Sequence, residues 1–186
     1  MERYIRSAAG LGLVEICFLD HLTVQPADKG LSMSLEEIPY YFQAVQVLKL
    51  KYRHVIRIKT GLEIDFNPDY TGLFQEVAGT YAFDVIATGL HFPRGVDVVS
   101  RRSPWRWGEK NADYVYGLYF EALEKMLDHT YFDVICHIDL VKKFGRKPSR
   151  SFDRAIDEIL SKIKEKDLTV EVNTSGFNHQ IQKQYP

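Results

Sequence analysis

The feature that most constrains this chain is an alternation of helical and strand-like segments, repeated five times. Apolar runs rich in β-branched and aromatic residues lie at 13–19, 55–66, 83–92, 132–140 and 168–176, and each follows a stretch with helical spacing. Short continuous apolar runs suit strands buried on both faces. A helix between successive strands calls for parallel pairing through right-handed crossovers. The pattern predicts an α/β fold of about five parallel strands. No linker or shift in composition divides the chain, so residues 1–186 read as a single domain.

Local signals give the pattern detail. Residues 2–9 read as a helix stopped by Gly10 and Gly12, and a Pro/Gly/Asp loop is expected at 25–30. Ser34 and Glu37 form a capping box. The helix behind it carries Leu35, Ile38, Phe42, Val45, Leu48 and Tyr52 as its apolar stripe, with Pro39 expected to distort the first turn. Residues 73–81 read as a short helix. Asn111 is placed to cap a helix presenting Val115, Leu118, Ala122 and Met126. A last helix over 151–166 is expected to bury Phe152, Ile156, Ile159 and Ile163. Residues 93–110 read as a long loop containing RRSPWRW at 101–107. Its guanidinium and indole groups could stack on bases or hold a phosphate. A solvated loop with two anchoring tryptophans is the favoured reading.

Composition narrows the function classes. Hydrophobic residues make up 45% and charged residues 26%, as in an ordered globular protein. The 24 basic and 25 acidic side chains leave a net charge of −1, which gives no general attraction to nucleic acid or anionic lipid. No apolar run approaches the ~20 residues of a membrane helix, and the N-terminal residues lack a signal peptide's apolar stretch. Cys17 and Cys136 both sit in apolar runs, which suits a reducing compartment, and a cytoplasmic location is expected. No GxSxG elbow, P-loop or GxGxxG after a strand occurs.

In parallel α/β folds chemistry gathers at the C-terminal ends of the strands. In chain order those ends carry Asp20-His21, Glu63 and Asp65, His91, His137 and Asp139, and Glu171, Asn173 and Thr174. Three of the six histidines fall at this one edge, together with carboxylates. Imidazole and carboxylate in combination suit zinc, iron or manganese. His54 and His129 follow helix ends, where a cation meets the dipole favourably, and His179 lies in the polar tail. Two of the strands open with the same Phe-Asp-Val-Ile, at 83–86 and 132–135. They are not a duplicated unit, because the histidine follows at a different spacing in each.

The sequence resembles the histidinol-phosphatase branch of the polymerase-and-histidinol-phosphatase (PHP) superfamily. The resemblance rests on FLDHL at 18–22, GLEIDF at 61–66, TGLHF at 88–92, CHIDLVKKFG at 136–145, EVNTSG at 171–176 and the closing YP at 185–186. It implies a distorted seven-stranded (β/α) barrel with up to three divalent metals at its C-terminal edge. It further implies that His21 is a metal ligand, that Glu63 bridges two metals, that His91 and His137 share one of them, and that Asp139 stands behind the ligands. The implied reaction is hydrolysis of a phosphorylated small molecule, histidinol phosphate in this branch, within histidine biosynthesis.

The chain departs from that pattern in three places. It contains no His-x-His and no Asp-x-His, each of which supplies two ligands in the family, and Phe177-Asn178-His179 follows NTSG where a basic residue is common. Only one metal is therefore expected per chain, held by Glu63, His91 and His137, and a phosphate contact is expected to be lost or to move to His179. Five strands do not close a seven-stranded barrel, so an incomplete barrel with open edges is expected, and with it self-association or pairing with complementary segments. Two readings follow: a metal-dependent phosphomonoesterase, or a degenerate domain that binds one metal and serves as a binding or assembly module.

Overall fold

Helix and strand alternate as the apolar pattern requires. A computed structural model describes residues 1–24 and 32–186; the loop expected at 25–30 lies outside the described residues. The elements are α1 (Glu2–Gly10), β1 (Glu15–Leu22), α2 (Ile38–Tyr52), β2 (Arg57–Asp65), α3 (Thr71–Thr80), β3 (Val85–Gly89), α4 (Pro104–Trp107), α5 (Ala112–Met126), β4 (Val134–Ile135), α6 (Asp153–Glu165) and β5 (Thr169–Val170). The strands form one parallel sheet in the order β1-β2-β3-β4-β5. Its first and last strands do not pair, so the sheet is open, as an incomplete barrel would be.

The repeated Phe-Asp-Val-Ile sets the pairing of two strands. Asp84 accepts a hydrogen bond from the Thr60 amide at 2.7 Å and donates its own amide to the Thr60 carbonyl at 2.8 Å. Asp133 makes the same pair with Ile86, at 2.9 and 2.7 Å. Each aspartate thus closes the backbone of the preceding strand just ahead of the new one and fixes the register. That register sets His21 beside Glu63, Glu63 beside Ala87 and Asp65 beside Gly89.

Strand lengths differ from the expected runs. β1 runs on through Asp20 and His21, whereas β4 and β5 keep only two residues each. The ladder continues to Cys136, whose amide reaches the Thr88 carbonyl at 2.8 Å. His137 then enters the left-handed region (φ 29°), and the chain folds into a 3₁₀ turn at Leu140–Lys142. The apolar run over 132–140 is therefore a short strand followed by a buried turn. A periodicity argument cannot separate the two, because both are apolar.

The helices pack largely as expected. The Ser34 amide donates to Glu37 Oε2 at 2.8 Å, and Asn111 Oδ1 accepts from the Tyr114 amide at 3.1 Å. α2 buries Ile38, Tyr41, Val45, Leu48 and Tyr52. Leu35 is exposed because it sits in a 3₁₀ turn, Leu35–Glu37, where the α-helical count is out of phase. Tyr41 takes the inward position and sets its hydroxyl 2.9 and 2.8 Å from the Phe18 and Gly61 carbonyl oxygens. Phe42 packs at the flank against Tyr81 and Phe83. Pro39 falls in the first helical turn, where its missing N–H has no partner to lose. Val115, Leu118 and Met126 of α5 are buried, and Ile159 and Ile163 are the buried residues of α6, with Phe152 and Ile156 half-buried. The tryptophan pair does not act as one: Trp105 is fully buried, and Trp107 is 65% exposed. No helix among the described residues is long and apolar enough to cross a membrane.

Candidate metal centre

Glu63 stands near the end of β2 with only 7% of its surface exposed. A carboxylate leaves water at high cost unless other groups meet it. Three imidazoles do so. Its Oε1 lies 3.1 Å from His137 Nε2, 3.7 Å from His21 Nδ1 and 3.8 Å from His91 Nε2. His21 is brought there by the β1–β2 register, His91 by the end of β3, and His137 by the left-handed turn after β4. The rings of His91 and His137 meet edge to face at 4.9 Å, and those of His21 and His91 at 5.6 Å.

Donors around a tetrahedral ion at about 2.1 Å stand roughly 3.4 Å from one another. The separations about Glu63 bracket that value. One donor atom each from His21, Glu63 and His91 lies within 4.8 Å of the other two, an arrangement that could hold a metal ion. His21 thus joins the compact group, while His137, expected as its third member, meets the same Glu63 oxygen at 3.1 Å. Burial pushes the Glu63 carboxyl up in pKa. The hydrogen bond from His137 and the charges of His137, His21 and His91 outweigh that and bring it down to about 2. The ionised form is the one that binds metals.

The groups behind the imidazoles fix their direction. Asp65 Oδ1 accepts from the His91 amide at 2.9 Å and lies 3.1 Å from His91 Nδ1, which leaves Nε2 facing Glu63. The Thr23 hydroxyl donates to the other Asp65 oxygen at 3.2 Å. His137 donates its amide to Glu171 Oε2 at 3.1 Å, and its carbonyl accepts from the Tyr119 hydroxyl at 3.2 Å. Asp139, expected behind the ligands, pairs with Lys142. Burial raises the Asp139 pKa against the pull of Lys142, and its Oδ1 is buried without a partner.

Lys143 is the functional candidate that motif reading missed, and Asp65 was named at its strand end without a role. Asp65 was visible in principle, since strand residues two apart share a face and Asp65 must point as Glu63 does. Lys143 had no distinguishing mark within Lys142-Lys143. The turn at Leu140–Lys142 decides between them, sending Lys142 to Asp139 and Lys143 to the wall of the site. That wall encloses a cavity of about 400 Å³ lined by His21, Glu63, His91, His137, Lys143 and Asn173, among others. A hollow of about 510 Å³ lies beyond Phe92, but Arg94 and Lys125 on its wall are both neutralised by the same Glu121 oxygen, and Asp69 is its other charged group.

Gly89 keeps the centre open. A Cβ there would stand 2.7 Å from His137 Cε1 and 3.0 Å from Glu63 Oε1. Neither neighbour yields freely, because both are buried and His137 sits in a constrained backbone conformation. Gly89→Ala is expected to destabilise the fold by about 1–3 kcal/mol and to lower zinc affinity by more than about tenfold. Urea unfolding and a zinc titration on one preparation check both; unchanged zinc affinity would show that the close approach is harmless.

Comparison with known proteins agrees with this architecture. The "Probable histidinol-phosphatase" of Deinococcus radiodurans is 26% identical over 188 residues, covering 100% of this chain and 71% of that protein. The histidinol-phosphatase of Lactococcus lactis subsp. lactis is 23% identical over 190 residues, covering 99% of this chain and 69% of that protein. The crystal structure of histidinol phosphate phosphatase from the same organism, complexed with zinc, L-histidinol and phosphate, superposes with a TM-score of 0.80 at 22% identity, over 99% of this chain and 70% of that one. The superposition establishes a shared fold. The PHP domain family model matches residues 1–175, and the chain belongs to that family.

Proposed function

We propose that this chain is a metal-dependent phosphomonoester hydrolase of the histidinol-phosphatase type. The observation that carries the reading is the convergence of His21, His91 and His137 on one oxygen of Glu63, at the floor of a cavity whose wall includes Lys143. Those four residues would hold a divalent ion of manganese, zinc or iron. Bound there, such an ion lowers the pKa of a water molecule and polarises the phosphoryl oxygens.

The chain's own residues contribute the rest. Glu63 supplies the anionic ligand at any pH above its depressed pKa. Asp65 holds the His91 tautomer with Nε2 free. Among the described residues no carboxylate lies within 4.0 Å of the Lys143 ammonium, so its charge is available to a phosphate oxygen. Asn173 and Ser175 on the same wall offer neutral hydrogen-bonding groups at the cavity mouth. Relatives named histidinol-phosphatase, one of them solved with zinc, L-histidinol and phosphate, make histidinol phosphate the substrate to test first.

The test loads the purified chain with manganese, zinc or iron and measures bound metal and phosphate release from histidinol phosphate together. Bound metal with phosphate release that Glu63→Gln abolishes is the expected result. Metal without release would favour the second reading, a metal-binding assembly module. That reading draws on a single histidine–carboxylate donor group of this kind among the described residues.

A further inference from the structure

His137 holds a left-handed backbone that a non-glycine residue adopts only at a cost, so its neighbours must fix it there. Glu171 is one of them. Its Oε2 takes the His137 amide at 3.1 Å, and its own amide reaches the Ile135 carbonyl at 2.9 Å. The Asn173 side-chain amide donates in turn to both Glu171 oxygens, at 3.2 and 3.1 Å. The Asn173 backbone is tied as well. It pairs in both directions with Tyr185, amide to carbonyl at 2.6 Å and carbonyl to amide at 2.8 Å, as an isolated antiparallel bridge. Tyr185 is the one buried residue of 177–186. Lys142 Nζ lies 5.4 Å from the centre of its ring, and Lys142 closes the 3₁₀ turn that follows His137. The same segment lies tight over Gly176, where a Cβ would stand 1.9 Å from the Lys183 carbonyl oxygen and 3.0 Å from the Tyr185 ring.

We propose that Tyr185 is a positioning residue for the metal centre, whose ring anchors residues 177–186 as a strap holding Asn173 and Glu171 against the His137 amide. The role rests on the reading of His137 as a metal ligand, whatever reaction the metal serves. Each link has a separate task. The buried ring seats the strap, and the bridge to Asn173 fixes the direction of its side chain. Asn173 then holds the Glu171 carboxylate toward His137. A hydrogen bond to an ionised acceptor is roughly twice as strong as a neutral one, which offsets the strain at His137. Without the strap, Glu171 keeps its ladder bond to Ile135, but its half-buried carboxylate is free to turn to water. His137 then relaxes, and its Nε2 leaves the 3.1 Å contact with Glu63. The ring does this work and the hydroxyl does not, because the Tyr185 hydroxyl is buried without a hydrogen-bond partner. The closing Tyr185 thereby gains a task that the ligand set alone leaves unassigned.

The test measures zinc affinity against a competing chelator, and the His137 amide resonance by heteronuclear NMR, in the full chain with folding verified by circular dichroism. Tyr185→Ala is expected to weaken zinc binding about tenfold and to move the His137 amide proton upfield as its bond to a carboxylate is lost. Tyr185→Phe keeps the ring and should match wild type in both. Gly176→Ala deletes no side chain but displaces residues 183–185, and should reproduce Tyr185→Ala; it carries the comparison if Tyr185→Ala does not fold. Ile159→Ala removes a buried side chain from α6 and should lower stability while leaving both readouts alone. In a His137→Gln background Tyr185→Ala should cost no further zinc affinity, whereas in a His21→Gln background it should cost its full tenfold. Equal zinc losses in Tyr185→Ala and Ile159→Ala would make Tyr185 an ordinary core residue and overturn the strap. So would a loss that persists in the His137→Gln background. If the wild-type chain binds no zinc, the metal reading falls and the amide alone decides. A shift in Tyr185→Ala and Gly176→Ala that Ile159→Ala lacks keeps the strap, and an unmoved resonance removes it.

Discussion

Glu63→Gln is expected to lower zinc affinity by more than about a hundredfold while leaving the fold intact. The expectation follows from the position of one oxygen. Glu63 Oε1 is the atom on which all three imidazoles converge, and no other carboxylate oxygen has more than one of them as a partner among the described residues. Loss of a group that merely orients a ligand costs about 10–100-fold in metal affinity. Loss of the central anion should exceed that range. Glutamine preserves the volume, so β2 has no cavity to collapse into and unfolding should stay two-state. It removes the charge that favours binding a cation in a buried site. It also turns an N–H₂ toward imidazole nitrogens that must stay unprotonated to bind metal. Zinc titration against a competing chelator, with circular dichroism to verify folding, measures the effect. A folded Glu63→Gln protein within tenfold of wild type would remove Glu63 from the centre of the site. His21→Gln should cost less, because the His21 side chain is 51% exposed and is the easiest of the four for water to replace.

Much of the fold and the site was legible in the sequence, and the parts that were not share one physical cause. The alternation of apolar runs with helical stretches gave the parallel sheet, because each signal is local: a capping box, an asparagine cap, a run of β-branched residues. His21, Glu63, His91 and His137 could be named because they end strands, and in a parallel sheet all strands end at one edge. What sequence could not give was the backbone path beyond the last ladder bond. His137 turns into the left-handed region, and Asp139, two residues on, pairs with Lys142. The same turn selects Lys143 over Lys142 for the cavity wall. Tyr41 replaces Leu35 inside α2 because a 3₁₀ turn breaks the helical count. In each case a local turn of the backbone decides which nearby side chain faces inward. Periodicity carries no information at that scale. The two tryptophans of RRSPWRW show the same limit: identical residues two apart, one sealed in the core and one in solvent.

Trp105→Ala is expected to destabilise the protein by about 3–5 kcal/mol, and Trp107→Ala by no more than about 0.5 kcal/mol. Trp105 is among the largest fully buried side chains, meets Tyr116 edge to face at 6.3 Å and lies under the Arg146 guanidinium at 5.6 Å. Removing it leaves a cavity that the surrounding rings cannot fill without leaving their own contacts. For a domain whose total stability is on the order of 5–15 kcal/mol, the loss is a large share. Urea unfolding of the two variants measures it, and equal midpoints would disprove the single anchor. Trp105→Phe separates packing from position. It keeps a ring in the pocket but takes the N–H from the Val141 carbonyl, for about 1 kcal/mol, so the variant should fold. If the indole serves only the core, phosphate affinity in that variant should match wild type. If it holds residues 97–107 against the turn that carries Lys143, phosphate affinity should fall while zinc affinity stays constant. The two measurements divide because Glu63 and His21 sit on strands of the sheet, whereas Lys143 follows a turn that this hydrogen bond ties to residues 97–107.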